Sequence, residues 1–436
     1  MMDNLVLMPK YEAYKSSGVE WLGDIPSSWN LKPGVVAFTE NKRSNKGMKE
    51  NIVLSLSYGN IVIKPEEKLV GLVPESFETY QLVEPGDIII RCTDLQNDKV
   101  SLRTGLAKDK GIITSAYLNL SVKNGFNSRF LHYYLYSLDT TKVLYKFGSG
   151  LRQNLSFLDF KRLPVFDIPE TTQIKIADFL DKKIAQIDEA VTIKEQEINL
   201  LKERKQIIIQ KSVTQGLDPN VPMKDSGVDW IGTIPEHWET ERSRWLFRER
   251  KEKARKSDEQ LTASQKYGVI SQQKFMELEG RRVTQVELNF DILKHVEAND
   301  FVISMRSFQG GIEYCAYTGC VSSAYVPLIP CELVHSPYYK HLLKSQRYIE
   351  ALQCTSNLVR DGQALRYENF CMVDLLIVPF EEQIAIANFI DNQEKLFLRN
   401  ITIMKDQIEK LKEYKTTLIN SAVTGKIKIT QEMVGQ

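Results

Sequence analysis

Pro169-Glu-Thr-Thr-Gln-Ile-Lys-Ile-Ala-Asp-Phe-Leu-Asp181 opens a stretch that runs to Thr214, and the chain contains that stretch twice. Adding 210 to each number leads without a gap to Pro379-Phe-Glu-Glu-Gln-Ile-Ala-Ile-Ala-Asn-Phe-Ile-Asp391 and on to Thr424, with 17 of 46 positions identical. After the opening proline neither copy contains Pro or Gly, so each reads as one long helix. In the first copy a seam steps by four and three through Leu180, Ile184, Ile187, Val191, Lys194, Ile198, Leu201, Lys205, Ile208 and Ser212. The second copy places Ile390, Glu394, Phe397, Ile401, Met404, Ile408, Leu411, Lys415, Leu418 and Ala422 in the same frame. A seam kept at 3.5 residues per turn goes on facing a partner helix over several heptads. Two such rods in one chain most simply pack on each other.

A second repeat frames the first. Ser17-Gly-Val-Glu-Trp-Leu-Gly-Asp-Ile-Pro-Ser-Ser-Trp29 recurs as Ser226-Gly-Val-Asp-Trp-Ile-Gly-Thr-Ile-Pro-Glu-His-Trp238, displaced by 209, with eight of thirteen positions identical. Its Gly, Pro and Trp content predicts an ordered loop held by buried indoles. The chain is therefore a tandem of signature, variable body and long helix. The bodies, about 30–168 and 239–378, have diverged further, but traces of a common fold survive. Glu84-Pro-Gly-Asp-Ile-Ile-Ile90 matches Glu297-Ala-Asn-Asp-Phe-Val-Ile303, each a turn leading into a buried strand. Ser115-Ala-Tyr117 matches Ser323-Ala-Tyr325. Ser128 to Tyr136 and Ser336 to Lys344 read as aromatic-rich helices, each with a serine N-cap. Each body is a small mixed α/β domain, and a preserved scaffold with unlike loops suggests two equivalent readers of two different things.

Composition narrows the function. The 436 residues are 42% hydrophobic and 26% charged, ordinary for a folded protein of two or three domains. No apolar run is long enough to span a membrane, and no signal pattern opens the chain, so a cytoplasmic location is expected. The six cysteines form no C-x-x-C, which predicts neither a disulfide set nor a metal site. A net charge of +1 confines any DNA contact to local patches or to partner subunits. One patch begins the second body: Arg242, Arg244, Arg248, Arg250, Lys251, Lys253, Arg255 and Lys256, interleaved with glutamates. The loops after the matched strands are more specific, because Arg, Gln and Asn pair with guanine and adenine edges. They offer Arg91, Gln96, Asn97 and Arg103 in the first body, and Arg306 and Gln309 in the second. Two later loops add Arg152 with Gln153, and Arg360 with Gln363. No phosphate-binding loop, dinucleotide fingerprint, zinc-protease helix or amino-methyltransferase run occurs. No histidine recurs at an aligned position in both halves, so each is expected to be structural.

The repeated Ser-Gly-Val-Glu/Asp-Trp-Leu/Ile-Gly-x-Ile-Pro-x-x-Trp signature and the Pro-x-x-x-Gln-Ile-x-Ile-Ala-x-Phe-Leu/Ile-Asp helix start resemble the specificity subunits of type I restriction–modification systems. The resemblance covers nearly the full chain. It implies an α/β (α+β) fold in which two tandem target recognition domains are separated by an antiparallel coiled coil of the two helices, related by a pseudo-twofold. The boundaries would be 1–168 (first signature and recognition domain), 169–216 (first spacer helix), 217–378 (second signature and recognition domain) and 379–436 (second spacer helix and tail). Each recognition domain would read one half of a bipartite, asymmetric site in double-stranded DNA. The chain itself would be non-catalytic and bind no cofactor or metal. It would dock two methyltransferase subunits, which carry S-adenosylmethionine and methylate adenine, and two restriction/translocase subunits using ATP and Mg2+. The second body lacks the Gly-Ser-Gly of Gly148 to Gly150, so no residue role passes between the loops of Arg152 and Arg360.

Overall fold

The computed structural model describes residues 7–65, 67, 76–98, 100–147, 154–280, 290–355 and 365–435. The chain divides into two compact units, Met1–Lys194 with Lys405–Gln436, and Glu195–Met404. The division cuts both long helices. Each unit therefore holds one signature, one body, the first part of one helix and the last part of the other.

In the first unit, β1 (Phe38–Glu40), β2 (Ile88–Ile90), β3 (Thr104–Leu106) and β4 (Leu118–Val122) form an antiparallel sheet in the order β1-β4-β2-β3. Alternate side chains of a strand face opposite sides, so three consecutive isoleucines require cover on both. Ile88 and Ile90 enter the main core, and Ile89 enters a smaller one with Leu54, Val83 and Ile113. Helix α1 (Ser128–Thr140) closes the main core with Phe130, Leu131, Tyr134, Leu135 and Leu138. Its cap differs from the expected serine: Asn127 is the N-cap and its side chain accepts from the Phe130 amide at 3.1 Å, which leaves Ser128 in the first turn. Helix α2 (Glu170–Gln215) follows, and its portion to Lys194 belongs here.

The second unit repeats the plan. Strands β5 (Phe247–Glu249), β6 (Phe301–Ile303), β7 (Glu313–Tyr314) and β8 (Val326–Pro330) take the order β5-β8-β6-β7. Phe301 and Ile303 face the main core and Val302 the smaller one. The turn into β2 needs a left-handed residue at Gly86 (φ 93°), and Asn299 (φ 76°) supplies it before β6. Asparagine tolerates that region better than other side chains, which explains how the glycine is replaced. Helix α3 (Ser336–Leu342) starts after His335, and no side chain caps it, again one place before the expected serine. Helix α4 (Phe380–Val423) completes the repeat.

All twenty seam positions are buried or half-buried, whereas their neighbours Ile193, Leu200, Ile207, Leu396 and Ile403 are exposed. In the first unit the start of α2 (Ile176, Leu180, Ile187) shares a core with the end of α4 (Leu411, Leu418, Ala422). In the second, the end of α2 (Ile209, Val213) shares one with the start of α4 (Ile386, Ile390). The pair is therefore antiparallel in both. Lys205 Nζ meets Glu394 at 2.8 Å, so two charges on the seam neutralise each other.

The same amide fixes each body to its helix. Gln173 donates to the Ile168 and Gly125 carbonyls (2.9 and 3.2 Å) and accepts from the Asn127 amide (2.9 Å). Gln383 donates to Val378 and Leu333 (2.8 and 2.9 Å) and accepts from His335 (2.7 Å). Both are fully buried, and a buried glutamine without such partners would cost several kcal/mol. The signatures are held as their composition suggests, with Trp29 and Trp238 buried and Trp21 and Trp230 half-buried. The left-handed glycine just beyond each long helix packs on the matching indole, Gly216 beside Trp238 and Gly425 beside Trp29. No described helix is long and apolar enough to cross a membrane.

Candidate nucleic-acid interface

The end of β2 releases the chain into a loop whose shape is set from below. Leu95 is buried, while Gln96 and Asn97 at the tip are exposed. Asn97 Nδ2 donates to Asp94 Oδ1 at 2.7 Å, and Asp94 itself is left-handed (φ 63°). Arg91 is half-buried and pairs with Asp98 at 3.1 Å. The Ser101 amide and hydroxyl, the Val100 amide and Arg91 hold the Asp98 carboxyl down to about 2, so it stays ionised and keeps the turn closed. Arg103 departs from the expectation of a base-reading side chain: it is fully buried, with its guanidinium against loop carbonyls.

The matching loop of the second unit is built differently. After β6, the Ser304 amide donates to Ser307 Oγ at 2.8 Å, and Ser307–Gly310 forms a single helical turn. Arg306 and Gln309 are exposed, and Arg306 makes no ion pair among the described residues. Met305 beside it is exposed as well. Arg152, Gln153, Arg360 and Gln363 lie outside the described residues.

The basic run of the second body sorts into two classes. Arg242, Arg244, Arg248, Lys251, Lys253, Arg255 and Lys256 are exposed, and Arg244 stacks on the exposed Trp245 at 5.6 Å. Arg250 is buried. It grips Asp300 with two bonds (2.7 and 3.1 Å) and also meets Glu252 (2.7 Å) and Glu297 (3.0 Å). Burial pushes the Asp300 carboxyl up, against the pull of Arg250. In the first body Asp87 holds this place, bonded to Arg43 (2.5 Å), Asn41 (3.2 Å), Ser121 (2.9 Å) and the Glu84 amide (2.9 Å). The fourth residue of each Glu-x-x-Asp turn thus ties the segment that follows the first strand of the sheet to the turn that leads into β2 or β6. The role of these aspartates is not visible in the sequence, since the arginine that meets each lies 44 or 50 residues away.

Histidines serve structural contacts of the same kind. His341 Nε2 meets Asp391 at 3.0 Å where Tyr133 meets Asp181 at 2.6 Å, and His295 Nδ1 meets Asp258 at 2.8 Å. His132 is different: its Nε2 is buried without a partner, and burial lowers its pKa to about 4. Among the described residues, His341, Asp391 and Glu394 bring three potential metal ligands within 4.8 Å. Asp391 also meets Lys340 (3.4 Å) and Glu394 meets Lys205 (2.8 Å), so both carboxylates already have cationic partners.

No family model matches the chain. Its fold matches solved structures over nearly its whole length. A chain from a study of complex assembly and conformational transition of the type I R-M system covers 92% of this chain and 98% of its own, with a TM-score of 0.65 at 13% identity. The HsdS subunit from Thermoanaerobacter tengcongensis covers 92% and 98%, with a TM-score of 0.51 at 14% identity. At such identities the likeness is one of fold: two mixed bodies and two long helices in the same order.

Proposed function

We propose that the chain is the DNA sequence-recognition subunit of a type I restriction–modification complex. Each body reads one half of a bipartite, asymmetric site, and the helix pair sets the spacer between the halves. The observation that carries the reading is the repeat itself. Both bodies use one sheet order, one buried aspartate and one buried glutamine, yet the strands β2 and β6 end in loops of unlike build. Selection on a common mount with free loops is what two readers of two unlike sequences require. Exposed Arg306, Gln309 and Gln96 are side chains that can pair with base edges, while Arg244, Arg248 and Lys251 can meet phosphates.

The helices also support docking of partner subunits. In the second unit Leu200 and Ile207 on α2, and Leu396 and Ile403 on α4, are exposed one place before seam residues. An antiparallel pair brings such flanking positions onto one side, which suits the apolar face of a partner helix. Repetition would let two copies of one methyltransferase subunit bind with approximate twofold symmetry. S-adenosylmethionine would then belong to those subunits, and ATP with Mg2+ to two restriction/translocase subunits. The chain's own part is recognition without catalysis.

Replacing residues 30–168 with the equivalent body of a relative tests this in the complex with the methyltransferase partner. One half-site should change and the other remain. Change at both, or at neither, would overturn the assignment of one half-site to each body.

A further inference from the structure

Resting on that reading, we infer that Arg103 is a positioning residue, which holds the first body's reading loop in its DNA-binding shape before DNA arrives. A guanidinium has five N–H donors, and the structure uses all of them. Nε donates to Tyr145 Oη at 3.0 Å. Nη1 donates to the Arg91 and Thr93 carbonyls at 3.3 and 2.7 Å, and Nη2 to those of Asp94, at 3.1 Å, and Asp98. Four of the five acceptors are main-chain carbonyls of one short loop. The side chain is fully buried, so it has neither a free donor nor a route to a base.

Burying a cation against neutral carbonyls is costly unless every donor is met, and that cost makes the loop shape specific. Any path that moved Arg91, Thr93, Asp94 or Asp98 outward would strand a charged donor. The arginine's own main chain is tied down too, since its amide donates to the buried Asp139 at 2.6 Å and its carbonyl accepts from Arg91 at 2.8 Å. Tyr145 completes the clasp by donating to the Asp98 carbonyl at 3.3 Å. Leu95 is buried on the inner side of the loop, so the next two residues, Gln96 and Asn97, are turned to the surface. Asn97 is further tethered to Asp94, which leaves Gln96 as the loop amide without a partner among the described residues.

The strand register carries Arg103 onto Gly311 in the second unit, where no side chain exists to play this part. There the short helix Ser307–Gly310 shapes the loop locally. The dependence on a buried clasp therefore belongs to the first half-site alone.

The test is a double-mutant cycle in the complex with the methyltransferase partner, on duplexes carrying both half-sites or either one scrambled. Arg103→Lys keeps the charge but cannot span four carbonyls. It should weaken discrimination at the first half-site about tenfold, the scale of one good base contact, and leave the second unchanged. Gln96→Ala should cost a similar factor in the wild-type chain and little in the Arg103→Lys background, because the two act through one loop. Wild-type discrimination by Arg103→Lys, or effects that simply multiply, would overturn the inference. Hydrogen exchange on the unaltered chain gives an answer even if the lysine variant does not fold. The Arg91, Asp94, Asp98, Val100 and Ser101 amides should be protected without DNA, and open-chain exchange there, with β2 protected, refutes a preset loop. Should the wild-type complex not distinguish cognate from scrambled duplexes, the recognition reading fails, and comparing exchange in the wild-type and Arg103→Lys chains still decides whether Arg103 holds the loop.

Discussion

In the first body, β2 runs out into a loop whose carbonyls close over the buried Arg103; in the second, β6 runs into one turn of helix that leaves Arg306 and Gln309 exposed. Beneath these unlike endings the two mounts agree. Asp87 and Asp300 stand in matching turns, Gln173 and Gln383 make matching sets of three bonds, and Gly216 and Gly425 each lie against the indole that ends their unit's signature. The contrast teaches where a duplicated body is held constant and where it is free. Groups that join sheet, helix and signature are retained, because each satisfies buried polar atoms at both ends. Groups that close a loop are replaced wholesale, because any set that satisfies that loop will do.

The sharpest break between the bodies should come at the buried aspartates. Arg250→Met removes the only side-chain cation that Asp300 meets among the described residues and should destabilise the second unit by roughly 3–5 kcal/mol. Arg43→Met, at a partly exposed arginine whose Asp87 keeps Asn41 and Ser121, should cost about 1 kcal/mol. Denaturant unfolding of the two variants checks this, and equal losses would mean that the two turns are loaded alike. The glutamines should behave the opposite way. Gln173→Leu and Gln383→Leu each orphan two carbonyls and an amide, and should each cost roughly 2–4 kcal/mol, equally in the two units. A large inequality would show that one body is mounted by something else.

Arg306→Ala should weaken specific binding by about 1–3 kcal/mol and relax the second half-site at one base pair, read from competition among single-base variants of the site. Uniform loss across all sequences would instead make Arg306 a phosphate contact. A pH-dependent effect is expected in the first body. His132 has its pKa lowered by burial from the ordinary 6.5 to about 4. Within that window the unfolded chain binds a proton that the folded unit refuses, so stability falls as pH falls from about 6.5 towards 4. A shift of that size corresponds to about 3 kcal/mol, and His132→Gln should flatten it. His341 is lowered by burial as well, so the second unit should lose some stability in the same direction, and His132→Gln should leave that part untouched.

Most of the fold was legible because it is periodic or repeated. The seam positions Leu180, Ile187, Leu411 and Leu418 could be read from spacing alone, since a heptad stripe has one way to be buried. The strands β2 and β6 were legible as three apolar residues behind a turn signal. The loops were not. Arg91, Arg103 and Arg306 look alike in a sequence, but one is ion-paired, one buried and one exposed, and only tertiary contacts separate them. The helix caps were misplaced by one residue because Ser128 and Ser336 carry the usual capping side chain, while the chain turns at Asn127 and His335. The basic run is one patch in the sequence, although Arg250 and Arg255 answer glutamates of their own unit.

The proposed role gives a partner methyltransferase two unlike half-sites at a fixed separation. It is tested most directly by mapping methylated adenines across the genome of a host that carries this chain with that partner. The account predicts one bipartite, asymmetric motif: two unlike half-sites, a constant gap of unread base pairs, and loss of the motif when the chain is removed. A continuous or symmetric motif, a gap that varies from site to site, or methylation unchanged without the chain would contradict it.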